Sequence, residues 1–425
     1  MYGIAVVRMS RAAVEEERRP RWEDVCVASP APLRSPSQLT LAWLQQMLTY
    51  WRRQPVIVAS FTVDAQGGSD GFLSEILFVD VRCAADGEGS GQAGRDCRLA
   101  VKLLPVDPVK RLLVLGQKVA LREIGACRFL SSDVMTDLCC QHGLQVPVPQ
   151  VIYAEASLDA MTLVLDDLRE EYEVVCPKEG LGLARVRAML EAIAVVHALG
   201  RVCIMERGVN SILQYLPGVS GGDEFLDGYV RSGLAHLASF SFSDSMKKLL
   251  IDLIPIARRL GVVPAAARTV PDTLLHGDYW AGQVMVGRHE QDRAKILDWQ
   301  FARVGNPFVD VVTLLVMSAA PAVLSHHLQE AVESYWRSYT ATLAACCVPS
   351  ADETLGEAET TMRGVEAAVA AVEASWHLGL RMFLASVQTH LAHGRVTRDR
   401  VARVLDLLHN KGVLAAVVGV SPGKC

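Results

Sequence analysis

The chain has 425 residues, half of them hydrophobic, and a formal net charge of −5. That length exceeds what one hydrophobic core ordinarily supports, so two lobes are expected, and the lack of a basic stripe argues against nucleic acid as a partner. The 11 cysteines include the adjacent pairs Cys139-Cys140 and Cys346-Cys347 but no Cys-x-x-Cys, which argues against a zinc site and fits unpaired thiols in a reducing cytoplasm.

In chain order, Met1–Arg21 mixes arginines with Glu15-Glu16-Glu17 and lacks a continuous apolar stretch, a poor match to a secretory signal. An extension over 1–38 precedes a helical segment at Leu39–Trp51. Gly67-Gly68-Ser69-Asp70-Gly71 then leads through Ser74 into a β-rich run ending at Arg82. Backbone amides in such a turn can approach phosphate oxygens because no Cβ intervenes; without full G-x-G-x-x-G spacing the same residues also read as an ordinary hairpin turn. Ala84 to Asp96, rich in Gly, Ala and charge, reads as an exposed loop. Arg98 to Leu104 reads as a strand carrying Lys102. Lys118 to Leu130 reads as a helix, with Val119, Ile124, Cys127 and Leu130 at helical spacing and Glu123 among them. Strand patterns follow at Val151–Tyr153 and Met161–Leu168.

Beyond these the chain turns helical: Leu183–Leu199, with His197 read as a core or capping residue, then about 223–260, 310–345, 358–392 and 396–409. The most apolar run, Val309 to Leu324, is interrupted by Asp310, Ser318 and Pro321, so no segment is expected to span a membrane.

The chemistry concentrates in His276-Gly277-Asp278-Tyr279-Trp280-Ala281-Gly282-Gln283 and, twenty residues after Asp278, Asp298-Trp299-Gln300. Val284–Val286 and Lys295–Leu297 are apolar runs flanking a polar turn. Paired as antiparallel strands, they place Gln283 and Asp298 at the same open end, where their oxygens can share a cation, with Asp278 on the loop leading in. Phosphoryl transfer from ATP needs this set. One carboxylate orients the attacking hydroxyl and accepts its proton, while a second carboxylate and an amide oxygen hold magnesium.

These segments resemble the catalytic and metal-binding loops of the aminoglycoside phosphotransferase and choline kinase superfamily, and within it the ecdysteroid-kinase-like branch. That branch favours a Trp two residues after the catalytic Asp and a Gln two after the metal Asp, here Trp280 and Gln300. The resemblance spans about 39–320. It implies an α+β, protein-kinase-like two-lobe fold: a small antiparallel β N-lobe over 39–168 and a large, mainly helical C-lobe over 169–425 holding the catalytic hairpin 274–312. It also implies Asp278 as catalytic carboxylate, Asp298 with Gln283 as magnesium ligands, and His276 and Asp310 as structural support, Asp310 beginning a helix. Lys102 would contact ATP with Glu123 as its partner, Gly68, Gly71 and Ser74 would form the nucleotide loop, and backbone near Asp166 and Leu168 would meet adenine. The implied cofactors are ATP and Mg2+, and the implied partner is a small-molecule hydroxyl acceptor, with neither nucleic acid nor membrane. Helices after 320 would help shape the acceptor pocket.

One residue departs from the pattern: the family has Asn where this chain has Gln283, the same amide oxygen on a longer arm. That departure keeps a second reading open, a catalytically weak or inactive kinase-like protein that binds nucleotide or a partner. A protein kinase is the weaker third reading, because His-Arg-Asp, Asp-Phe-Gly and Ala-Pro-Glu elements do not occur in order.

Overall fold

The computed structural model describes residues 28–64, 73–84, 96–217, 222–240, 242–290, 293–346 and 364–419. The chain divides into two compact units, one of residues 1–170 with 215–217, the other of residues 171–214 with 218–425.

The first unit begins with α1 (Leu41–Arg52), whose first turn is closed by the Thr40 side chain accepting the Trp43 N–H at 3.2 Å, which satisfies a donor that has no partner within the helix. The strands β1 (Val58–Asp64), β2 (Glu75–Cys83) and β3 (Cys97–Leu103) follow, then helices α2 (Pro108–Gly116), α3 (Val119–Leu130) and α4 (Asp133–His142), then β4 (Val151–Ala156) and β5 (Met161–Asp166). The five strands form one antiparallel sheet in the order β1-β2-β3-β5-β4. Leu99, Val101 and Leu103 alternate into a core with Leu44, Met47 and Leu48 of α1 and Val79, Val81, Ile152 and Val164 of the sheet. The period of two along β3 turns Lys102 to the other face. Buried on nearly every side, α3 carries Glu123 at its centre. The turn Gly67–Gly71, including Gly68 and Gly71, and all but the ends of the loop expected at Ala84–Asp96 lie outside the described residues.

In the second unit, β6 (Tyr172–Val174) leads to α5 (Leu183–Arg207), then α6 (Asn210–Leu213), α7 (Gly222–Ala238) and α8 (Asp244–Leu253). The helix expected at Leu183–Leu199 thus runs on to Arg207, stopping at Gly208. By length and composition α5 is long and apolar enough to cross a membrane, but 72% of that stretch is buried inside the protein, as a core helix would be. Four short strands come next: β7 (Thr273–Leu275), β8 (Val284–Gly287), β9 (Ala294–Ile296) and β10 (Arg303–Gly305). They make a three-stranded sheet, β6-β8-β9, and a separate β7-β10 pair. The remaining helices are α9 (Phe308–Ser318), α10 (Pro321–His326), α11 (Leu328–Cys346), α12 (Val365–Ala374), α13 (Trp376–Ala392), α14 (Arg398–Asn410) and α15 (Val413–Val418).

The long helical patterns are shorter in the structure, and each break has a local cause. The 223–260 pattern is cut before α8, where Ser243 accepts the Met246 N–H as a cap, and Pro255 turns the residues after α8 into a tighter 3₁₀ stretch at Ile254–Gly261. The 310–345 pattern breaks at Ala319 and Ala320, both extended, because a residue preceding proline is forced out of the helical region. In the described part of the 358–392 pattern, Ser375 turns its hydroxyl back onto the Ala371 carbonyl at 2.7 Å and separates α12 from α13.

Asp227 of α7, almost wholly buried, takes Arg258 Nε at 3.0 Å and Arg381 Nη2 of α13 at 2.9 Å. Arg258 is exposed but Arg381 is largely buried, so removing Asp227 leaves one buried charge uncompensated. Asp227→Ala is therefore expected to cost about 3 kcal/mol of stability, read as a lowered midpoint in urea unfolding. A midpoint equal to that of the native chain would show that the guanidinium groups find water instead.

Candidate active site

The segment between β7 and β8 is positioned by α9. Asp310 lies in the first turn of that helix, fully buried. Its Oδ2 accepts the His276 N–H at 2.7 Å and its Oδ1 the Gly277 N–H at 2.9 Å. A third donor is His197 of α5, whose Nε2 lies 3.2 Å from Asp310 Oδ2. Since a carboxylate only accepts, Nε2 carries a proton, and Nδ1 lies 2.9 Å from the Tyr335 hydroxyl. Burial alone would push the Asp310 carboxyl up, but the His197 hydrogen bond and the neighbouring His197, His276 and Arg303 outweigh it and hold the pKa below the ordinary range. Gly277 sits at φ +86°, and a side chain there would run into the carbonyl oxygen of Phe301, so the residue between His276 and Asp278 has to be glycine.

His276 is the bridge to the second loop. Its Nε2–H donates to the Leu297 carbonyl at 2.7 Å, and Nδ1 accepts the Asp278 N–H at 3.3 Å. The second bond requires the neutral ring, because a protonated Nδ1 cannot accept. Complete burial lowers its pKa and keeps it neutral.

The expected hairpin is present: β8 pairs with β9 in antiparallel register, Val284 opposite Ile296, and the Leu297 N–H reaches the Gln283 carbonyl at 2.8 Å. Gln283 and Asp298 therefore stand at one end of it. Gln283 Nε2 donates to Asp278 Oδ2 at 3.3 Å, and Gln300 Nε2 to Asp298 Oδ2 at 3.1 Å. Asp298 has φ +60°, a left-handed conformation that costs a residue with a side chain about 1–3 kcal/mol and collects at functional sites. Asp278 keeps part of its surface exposed, yet its pKa is raised to about 7, first by burial of the carboxylate and then by the charge of Asp298; the hydrogen bond from Gln283 works the other way. Two carboxylates that repel each other, beside an amide, form a donor set suited to a small divalent cation. Among the described residues no three His, Cys, Asp or Glu side chains are grouped to hold a metal by themselves, and magnesium is commonly bound by one or two carboxylates with the remaining ligands from water and phosphate.

In the first unit, Lys102 Nζ on β3 meets Glu123 Oε1 on α3 at 2.6 Å, both largely buried. Ser74 directly precedes β2, and Asp166 ends β5 with its Oδ1 accepting the Gln150 N–H at 2.6 Å. Leu168, two residues on, is half-buried. The structure thus brings together Lys102 with Glu123, His276 with Asp278 and Asp310, and Gln283 with Asp278.

Residues 68–348 match the sequence model of the ecdysteroid kinase-like family. The chain belongs to this family. With the two units described above, it has the expected α+β, kinase-like two-lobe fold. A comparison with curated proteins finds no match. Among solved structures the chain is similar to a Plasmodium vivax ethanolamine kinase, at 10% identity over 88% of this chain and 89% of that one, TM-score 0.43. It is also similar to a microcompartment-associated aminopropanol kinase, at 14% identity over 89% and 99%, TM-score 0.37. A third is a Streptomyces rimosus aminoglycoside phosphotransferase in complex with ADP and streptomycin, at 16% identity over 68% and 90%, TM-score 0.33.

Sequence reasoning underrated His197. It lies on an apolar helix, but it holds Asp310 rather than merely filling the core. Its partners are 113 and 138 residues away, beyond any local spacing rule. The available signal was a buried polar ring on an otherwise apolar face, which has to find a partner. Ser318, which accepts the Ala281 N–H at 2.8 Å, was seen only as an interruption of an apolar run.

Asp310→Asn keeps the shape of the side chain but turns one acceptor into a donor facing another donor. It is expected to cost about 1–3 kcal/mol, measured by chemical unfolding. A variant as stable as the native chain would show that the charge does not secure the turn.

Proposed function

We propose that the protein transfers the γ-phosphoryl group of ATP to a hydroxyl of a small molecule. The observation that carries this reading is the pair of loop carboxylates, Asp278 and Asp298, near enough for one to raise the pKa of the other, each met by a neutral amide. Membership of the ecdysteroid kinase-like family supports it. Asp278 orients the acceptor hydroxyl and takes its proton as the new O–P bond forms and the bond from the γ-phosphorus to the leaving ADP oxygen breaks. A pKa of about 7 keeps it a competent base near neutrality. Asp298 and the Gln283 amide oxygen would hold magnesium, which would supply positive charge to offset that of the nucleotide phosphates. Lys102, fixed by Glu123, contacts the donor phosphates, Gly68, Gly71 and Ser74 contribute to the nucleotide loop, and backbone near Asp166 and Leu168 meets adenine. In this reading residues 39–168 serve the nucleotide, and 169–425 serve the acceptor and the chemistry.

A second reading, a catalytically weak member that binds nucleotide or a partner, is favoured by one contact. The Gln283 amide N–H is engaged by Asp278, the carboxylate proposed as base.

Two experiments decide. With magnesium-dependent ATP consumption followed across a panel of hydroxylated metabolites, Asp278→Asn is expected to lower turnover about 10²–10⁴-fold while the thermal shift on adding Mg-ATP persists. Unchanged turnover would remove Asp278 from the role. On the acceptor so found, Gln283→Ala is expected to raise the magnesium requirement, and Gln283→Asn to keep activity. Equal magnesium dependence in the native chain and in Gln283→Ala would exclude Gln283 as a ligand and favour the second reading.

A further inference from the structure

Trp280 follows Asp278 by two residues, and its surroundings come from the far end of the chain. The indole is 6% exposed. Its ring lies 4.4 Å from the His390 ring, tilted by 43°, and the Arg395 guanidinium stands over it at 5.8 Å. Beneath it is Gly282, where any side chain would collide with the indole. His390 is at the end of α13, and burial, with the charges of Arg395, Arg400 and His393, pushes its pKa down to about 4, so a neutral ring faces Trp280.

Arg395 is not on a loose loop. Its N–H donates to the His390 carbonyl at 2.8 Å, and its own carbonyl accepts from Cys176 Sγ at 3.9 Å. Two residues on, the Thr397 N–H donates to the Lys178 carbonyl at 3.2 Å and the Thr397 hydroxyl to Glu179 Oε2 at 3.2 Å. The next residue of the catalytic segment is held from the same side. The Ala281 N–H donates to Ser318 Oγ at the end of α9, and Arg400 of α14 donates Nη2 to the Val316 carbonyl of that helix and the Ala319 carbonyl just after it, at 3.2 and 3.1 Å. A position needing only apolar volume would be served by aliphatic side chains. An imidazole and a guanidinium on one indole instead fix ring orientation as well as position.

We propose that His390 and Arg395 are positioning residues: they clamp the indole of Trp280 and so hold the Asp278 carboxylate, two residues earlier, in line with the acceptor hydroxyl. The proposal rests on the phosphotransfer reading for its consequence but not for the clamp itself. It assigns a role to the last helices that no local motif of the catalytic loops contains.

The test uses the full chain and two readouts. Acrylamide quenching of Trp280 is isolated by subtracting the signal of a Trp280→Phe chain made in each background. His390→Ala and Arg395→Gln are expected to make Trp280 several-fold more quenchable, while His390→Phe and Arg395→Lys restore most of the shielding. On an acceptor that supports turnover, the first two are expected to lower kcat by about 10- to 100-fold and to leave the KM for Mg-ATP unchanged, with the conservative variants recovering kcat. Native shielding in His390→Ala and Arg395→Gln overturns the clamp. Native kcat in both, with Trp280 exposed, overturns its role in positioning Asp278. If the native chain turns over no acceptor, the phosphotransfer reading fails, the positioning role falls with it, and the quenching result still decides whether the clamp exists.

Discussion

A carboxylate buried in the first turn of a helix organises the catalytic segment. Asp310 has no exposed surface, and its charge is tolerated because three donors converge on it, the N–H groups of His276 and Gly277 and Nε2–H of His197, with Arg303 adding to them. The N-terminal end of α9 adds a favourable dipole. The converse matters equally, since those two backbone N–H groups are themselves buried and would be costly to leave unpaired. Charge and turn therefore hold each other in place. At its other end α9 offers Ser318 to the Ala281 N–H, so the segment from His276 to Ala281 is fastened at both ends of one helix of 11 residues. Because nearly every side chain of that helix is buried, it cannot shift without disturbing the core, and the rigidity of the core passes to the loop.

The second constraint is the separation of two loops that each carry an acidic residue. His276 spans them, accepting from the Asp278 N–H and donating to the Leu297 carbonyl. Protonation would set an N–H against the Asp278 N–H, so the neutrality that burial enforces is a condition for the spacing. With the loops pinned, Asp278 and Asp298 cannot relax apart, and their repulsion adds to burial in raising the pKa of Asp278. The left-handed backbone at Asp298 belongs to the same account: local strain persists where surrounding bonds over-determine the geometry.

How much of this was legible in the sequence follows from the range of the interactions. The hairpin carrying Gln283 and Asp298 could be read because its strands and turn lie within about twenty residues and follow a period of two. Lys102 and Glu123 could be placed on a strand and a helix by periodicity, and their pairing followed from a family resemblance rather than from spacing. The supports of the site were not legible. His197, Tyr335, Ser318 and Arg400 act through contacts across scores of residues, and only tertiary packing brings them together. Helix lengths were overestimated for a different reason. Apolar periodicity continues smoothly through Ser243, Ala320 and Ser375, whereas caps and prolines decide where a helix stops.

The chemistry of the site is clearest in what balances its charge. Asp278 receives the amide of Gln283, and Asp298 that of Gln300. Amide donors favour the ionised form of a carboxylate without cancelling its charge, and the charges acting on Asp278 are those of two further carboxylates, Asp298 and Asp310. Asp310 likewise receives the Nε2–H of His197. An arginine in either amide position would neutralise the pair and close it to metal. A glutamine leaves the charge in place while holding the side-chain geometry, so the arrangement favours a cation that arrives with its own anionic ligands. A magnesium-bound nucleotide is such a species, and the proposed reaction supplies it with every turnover.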